Sequence, residues 1–230
     1  MLAPPFTTAQ FFAVFAAYNA ALWPLQILVY ALGVVAVVAA WSSGSGATRV
    51  IALALAIMWA INGAGYHLLF FSAINPVARG FAAMFLLQSV LLAAAGIRST
   101  DLRFEVGRSV RSVLGLVIIA YALLIYELLG SWAGHGLLSG PMFGVAPCPT
   151  TIFTLGMLML ARGRWVIRLS IIPVLWSLVG VAAARQLSVP EDYGMPVAAL
   201  ALCLTLIVSR YADARKHREA APAAPPQARG

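Results

Sequence analysis

The chain has 230 residues, 62% of them hydrophobic and 10% charged, and its mean hydropathy is +0.92. Soluble domains are nearer half apolar and about a quarter charged, so no water-soluble fold of this size could hide so much apolar side chain, and lipid must solvate most of it. The net charge of +8 does not point to nucleic acid as a partner, because fourteen of the fifteen basic residues are Arg, set in short strips between apolar runs instead of on one face.

The N-terminus, MLAPPFTTAQ, has no basic n-region and is expected not to be a cleaved signal peptide. Thr7 to Leu22 is rich in aromatics and opens with a Thr7-x-x-Gln10 capping pattern. This predicts a helix lying at the membrane interface, bent into the first span at Pro24. Residues 1–23 thus form an interfacial unit, 24–211 a transmembrane domain, and the Pro/Ala-rich stretch 212–230 a disordered cytoplasmic tail.

Seven apolar runs approach the roughly 20 residues that a spanning helix needs. They cover Pro24–Trp41, Val50–Phe70, Val77–Ile97, Val110–Leu129, Thr150–Ala161, Trp165–Ala184 and Met195–Tyr211. The fifth is short. None alternates polar and apolar residues as a membrane barrel requires, so the expected fold is an all-α bundle of about seven transmembrane helices. With the N-terminus outside, thirteen Lys and Arg fall in inside strips and only Arg79 and Arg185 outside. By the positive-inside rule this places the C-terminus in the cytoplasm of a bacterium, with the chain in its inner membrane.

That topology gathers the unusual polar residues on the extracytoplasmic side: Asn19, Asn62, Tyr66, His67, Asn75, Glu127, His135, Cys148, Thr150 and Thr151. The segment Ser131–Pro149 has four Gly, three Pro and no Lys, Arg, Asp or Glu. It is expected either as a re-entrant loop lining a cavity, where irregular backbone is tolerated at depth, or as an interface-hugging loop anchored by Trp132. Glu191 and Asp192, after Pro190, read as a solvated turn.

Four of these side chains can ligate a metal: His67, His135, Cys148 and Glu127. Cys148 stands at a helix start, where the dipole favours thiolate. Its Cys-Pro-Thr context looks like the transmembrane metal motif of heavy-metal-pumping P-type ATPases, although none of their soluble domains is present. Alternatively, Cys148 is a small buried hydrophobe and Pro149 a favourable first-turn residue. His67, behind Asn62, Gly63 and Gly65, reads as a metal ligand, a haem ligand or a proton carrier, or as an interfacial His bonded to a carbonyl. Glu127 is a cation- or proton-binding carboxylate, with Arg185 as one partner, or a snorkelling residue. A rhodopsin is excluded, since the only lysine is Lys216 in the tail. No phosphate-binding glycine loop, Gly-x-Ser-x-Gly elbow or His-Glu-x-x-His motif occurs.

The succession FFAVFAAYNAALWPLQ, GAGYHLLFFSAINP, GHGLLSGPMFGVAPCPTTIFTLG and IIPVLWSLVG resembles a family of small bacterial integral membrane proteins of unknown function, over nearly the whole chain to Tyr211. The resemblance implies a topology and no chemistry. Three functions stay open. One is an outward-facing polar pocket that binds or transports a small ligand such as a soft metal cation. Another is a membrane-embedded metal- or haem-dependent enzyme or redox protein. The last is an accessory subunit meeting a membrane or periplasmic partner protein. The cofactor expected first is a transition-metal ion, with haem behind it.

Overall fold

The computed structural model describes residues 5–42, 44–136 and 138–219. Helix α1 (Thr8–Leu22) starts with the expected capping box: the Gln10 N–H donates to the Thr7 hydroxyl at 3.2 Å and the Thr7 N–H to the Gln10 side chain at 2.8 Å. It buries Phe11, Phe15, Tyr18 and Asn19 against the bundle. Pro24 then interrupts the helix, and α2 (Leu25–Ala39) leaves at 86°.

Five continuous helical stretches are long and apolar enough to cross a membrane. The first is α3 (Ser45–Ala60) prolonged by a π-helical segment, Ile61–Phe70, and a short 3₁₀ turn. Next come α4 (Ala78–Arg98), and then α5 (Val110–Ala120) joined to α6 (Tyr126–Trp132) through a second π-helical segment, Tyr121–Ile125. After a short helix α7 (Pro147–Leu160), the last two are α8 (Trp165–Leu187) and α9 (Gly194–Glu219), the latter entered through the 3₁₀ turn Pro190–Tyr193. The chain is therefore an all-α membrane-type bundle.

The two remaining apolar runs take other forms. Helix α2 reaches spanning length only together with α1 across their bend. Helix α7 has 14 residues, about 21 Å at 1.5 Å per residue, against a hydrocarbon core of about 30 Å. Its surroundings explain the shortness. Apart from Cys148 every residue of α7 is buried, and α3, α5, α8 and α9 pack around it. A helix apolar on all sides and wrapped by protein does not have to match the bilayer. At the other end of the chain, α9 continues to Glu219, into the stretch expected as tail; residues 220–230 lie outside the described residues.

The connectors at the C-terminal end of α7 are tied together. Arg103–Phe104 (β1) pairs antiparallel with Ala161–Arg162 (β2) in a two-residue ladder. The Glu105 N–H donates to the Leu160 carbonyl and the Val106 N–H to the Ala40 carbonyl. Inside the bundle, α5 and α7 approach through Gly115 and Gly156: a Cβ on Gly115 would stand 2.9 Å from the Gly156 carbonyl, and one on Gly156 3.0 Å from the Gly115 carbonyl. A Gly156→Leu substitution must push these helices apart, and overpacking of about 1–3 kcal/mol in a chain of this size lowers the unfolding temperature by several degrees, roughly 3–10 °C. Gly80, with nothing near its Cβ position, is the control: Gly80→Ala should leave the thermal melt of the purified protein unchanged.

Candidate functional site

The segment between α6 and α7 enters the protein. Trp132 is 87% exposed and the first half of the segment lies outside, but Gly140 to Pro147 are buried. Three polar side chains from three helices hold its backbone. From α1, the Asn19 amide donates to the carbonyls of Leu138 and Gly140, both at 2.9 Å. The Asn62 amide, from the first π segment, donates to the Gly144 carbonyl at 3.1 Å and the Thr150 hydroxyl at 3.2 Å. Glu127, from α6, accepts the Phe143 N–H at 2.7 Å, and the Tyr30 side chain reaches the same carboxylate. Gly144 sits at φ +75°, where a Cβ would strike Val29 at 2.1 Å, so glycine is required at the inward tip.

This held loop starts α7 and so places Cys148 in its first turn. Cys148 faces a cavity of about 430 Å³ together with Tyr66, His67, Trp176 and Asp192. The facing wall is aromatic. Phe15 and Phe71 stack on either side of the Tyr66 ring at 4.5 and 5.3 Å, while Phe81, Phe85 and Trp176 surround His67 edge-on within 5.7 Å. His67 is fully buried, and neither of its ring nitrogens has a hydrogen-bond partner; the Tyr66 hydroxyl also lacks one. Both residues lie in the first π segment, a helix form that recurs at functional sites.

The acidic pair is the feature that sequence reasoning missed. Glu191 and Asp192 are 0% and 3% exposed, which corrects the expected solvated turn. Their 3₁₀ turn folds inward beneath α6. His135 Nδ1 lies 2.8 Å from a Glu191 carboxylate oxygen, the Tyr121 hydroxyl donates to the Glu191 carbonyl at 2.7 Å, and the Tyr126 hydroxyl donates to Asp192. Gly130 admits the Glu191 carboxylate, which would stand 2.7 Å from a Cβ there. Asp192 then meets the Cys148 thiol, which also neighbours the Trp176 indole. A clue was present in the sequence: Pro190-Glu-Asp-Tyr leads directly into an apolar span, with no other charge to hold the turn in water.

The ten anticipated residues thus divide. Tyr66, His67, Asn75 and Cys148 share the aromatic cavity, with Asn75 accepting the Val77 N–H. Asn19, Asn62 and Glu127 hold the loop, so Glu127 neither snorkels nor uses Arg185. Thr150 receives Asn62, and Thr151 donates to the Pro147 carbonyl inside α7. His135 stacks on Phe12 at 4.4 Å and turns to Glu191. Among the described residues no three of His, Cys, Asp and Glu gather as metal ligands; His67 and Cys148 line one cavity, while His135 and Glu127 serve other contacts. Both cysteines are free.

The match to known proteins agrees with the extent of this fold. A family of unknown function (DUF6064) covers residues 8–218, and the chain belongs to that family. No curated protein and no solved structure matches the chain.

The three holds on the loop generate a test. Glu127→Ala leaves the Phe143 N–H without its acceptor inside the protein, which costs about 1–3 kcal/mol and loosens the start of α7. Maleimide labelling of Cys148, measured on a Cys203→Ala background, should accelerate several-fold in Glu127→Ala relative to Glu127→Gln, which keeps an acceptor at that place.

Proposed function

We propose that this is a multi-pass protein of the bacterial inner membrane whose aromatic cavity faces the extracytoplasmic side and binds or transports a small, mainly apolar molecule carrying one polar group. The orientation rests on the arginine strips, which cluster around the C-terminal end of α7, away from the cavity at its start. N-terminus outside and C-terminus inside is the arrangement that follows. A C-terminal reporter fusion active only in the cytoplasm is the expected result.

One observation carries the binding proposal. Buried polar groups are nearly always paired, yet the two His67 nitrogens and the Tyr66 hydroxyl, on adjacent residues of a π-helical segment, are enclosed without partners at the wall of a cavity. The cavity volume of about 430 Å³ falls within the usual size of small-molecule sites, and a mostly apolar lining with a few convergent polar groups is their usual chemistry. Phe11, Phe15 and Phe71 would hold the apolar body, and His67 with Tyr66 the polar end. A soft metal cation is the second form of the same reading, favoured by the imidazole of His67 and the thiol of Cys148 lining one cavity.

His67→Phe separates a binding role from a structural one. An enclosed imidazole without partners costs about 1–3 kcal/mol, so the variant should melt at the same temperature as wild type or higher. A panel of naphthalenes carrying a hydroxyl, carboxamide or carboxylate should quench the tryptophan fluorescence of reconstituted wild type saturably through Trp176 at the cavity wall, one of six tryptophans, and Trp176→Phe should lose that component. His67→Phe should weaken the best of them by about 5- to 30-fold, the worth of one hydrogen bond. Equal affinity in the variant overturns the assignment of His67. Elemental analysis of wild type and Cys148→Ala decides the metal form, which requires stoichiometric metal that is lost in the variant.

A further inference from the structure

A second cavity, of about 550 Å³, lies at the C-terminal end of α7, remote from the aromatic one at its start. Three chain strips far apart in sequence meet there. Arg111 comes from the first turn of α5, Arg162 and Arg164 from the α7–α8 connector, and Arg210 from α9. Among the described residues Glu105 is the single carboxylate on the lining. Below this polar rim the wall is apolar, built by Leu206 and by Ile167, which is 38% exposed on the outer face of α8.

The arginines differ in how they are held. Arg162 is paired with Glu105 at 3.2 Å and Arg164 with Asp101 at 3.3 Å, both largely solvent-exposed on the arginine side. Arg111 is different. Its Nη2 donates to the carbonyls of Leu158 and Ala161 at 2.9 and 2.8 Å, closing the end of α7, while its Nε is shielded from solvent and has no partner. A guanidinium fixed in place through Nη2 sets a permanent positive charge at the cavity wall without further ordering, which suits an anionic ligand. Arg210 stands exposed on the same rim.

We propose that this cavity binds the phosphate headgroup of an anionic phospholipid in the leaflet at the basic end of the bundle, with Arg111 and Arg210 as the phosphate ligands and an acyl chain along Ile167 and Leu206. Among the described residues the lining carries four guanidinium groups against one carboxylate, which sets the sign of the ligand. The apolar wall opening onto the lipid-facing sides of α8 and α9 selects a lipid over a free anion. Basic pockets between membrane helices recognise anionic headgroups by this chemistry. The proposal is independent of the aromatic cavity and its ligand.

The test uses the full-length protein in nanodiscs of equal parts phosphatidylglycerol and phosphatidylcholine, with retained lipid counted by native mass spectrometry. Wild type should keep phosphatidylglycerol in clear preference to phosphatidylcholine. Arg210→Gln should reduce that preference about fivefold, the value of one basic residue near a charged headgroup. Arg111→Gln, which removes the charge, should reduce it as well; because Arg111 also closes α7, the exposed Arg210 keeps the test decisive if Arg111→Gln fails to fold. Arg185→Gln, in the last turn of α8 at the other end of the bundle, should change nothing. Equal retention of the two lipids, an unchanged preference in Arg210→Gln, or displacement of the lipid by millimolar inorganic phosphate overturns the assignment, the last outcome in favour of a free phosphate site.

Discussion

Backbone amides and carbonyls inside a bilayer have no water to bond, so irregular chain survives at depth only where protein supplies the partners. In this molecule the constraint falls on the stretch from Leu138 to Ala146, and the answer is three polar side chains from three helices: Asn19, Asn62 and Glu127. Each contacts the main chain of the loop, so together they fix a path. Asn62 also reaches Thr150, whose carbonyl takes the Thr154 hydroxyl, and Thr154 in turn receives the Trp59 indole. The hold on the loop therefore continues into α7 and across to α3.

What that path fixes is the start of α7, and the start of α7 fixes the site. A helix of 14 residues crosses only part of the bilayer thickness, so its first turn lies inside the protein and carries Cys148 there. The turn from Pro190 to Tyr193 fills the space beside it. Asp192 touches both Cys148 and Tyr126, while Glu191 links His135 and Tyr121. Two π-helical segments stand on either side, one supplying Tyr66 and His67, the other supplying Tyr121 and leading into Tyr126 and Glu127. The wider turn of a π segment rotates the residues that follow relative to an α-helix, which brings aromatic and polar side chains of a membrane helix inward.

Much of the fold was legible in the amino-acid order because it depends on local chemistry. The Thr7/Gln10 box, the break at Pro24 and the helix-breaking composition of Ser131–Pro149 are all short-range signals, and each has its structural counterpart. The site was legible only in part. Tyr66, His67, Asn75 and Cys148 were marked by being polar or reactive in apolar surroundings, and they do share a cavity. Asn19, Asn62 and Glu127 were marked by the same signal but hold backbone instead, a distinction that depends on a loop more than 70 residues distant from the first two. The burial of Glu191 and Asp192 could not be read locally at all. Pro-Glu-Asp has the composition of a solvated turn, and its burial is decided by Gly130, His135, Tyr121 and Tyr126, which lie some 55 to 70 residues earlier. Hydropathy likewise scored the fifth apolar run on the same scale as the others, since it records the preference of a residue for a dry place and not whether lipid or protein provides it.

The two ends of the bundle show how differently one chain treats polar groups. At the basic end, charge is met by charge or by carbonyls: Arg162 with Glu105, Arg164 with Asp101, and Arg111 on the terminal carbonyls of α7. At the other end Asn19, Asn62 and Glu127 hold the loop and His135, Tyr121 and Tyr126 hold the acidic turn, while Tyr66 and His67 carry buried polar atoms without partners at the cavity wall. Aromatic rings that could have replaced them already surround the position, so an additional Phe in place of His67 would fit the same packing without enclosing two unmatched nitrogens. Stability therefore gives no reason for histidine there. A side chain kept at a cost to the fold at the wall of a cavity is the observation on which the proposed ligand rests.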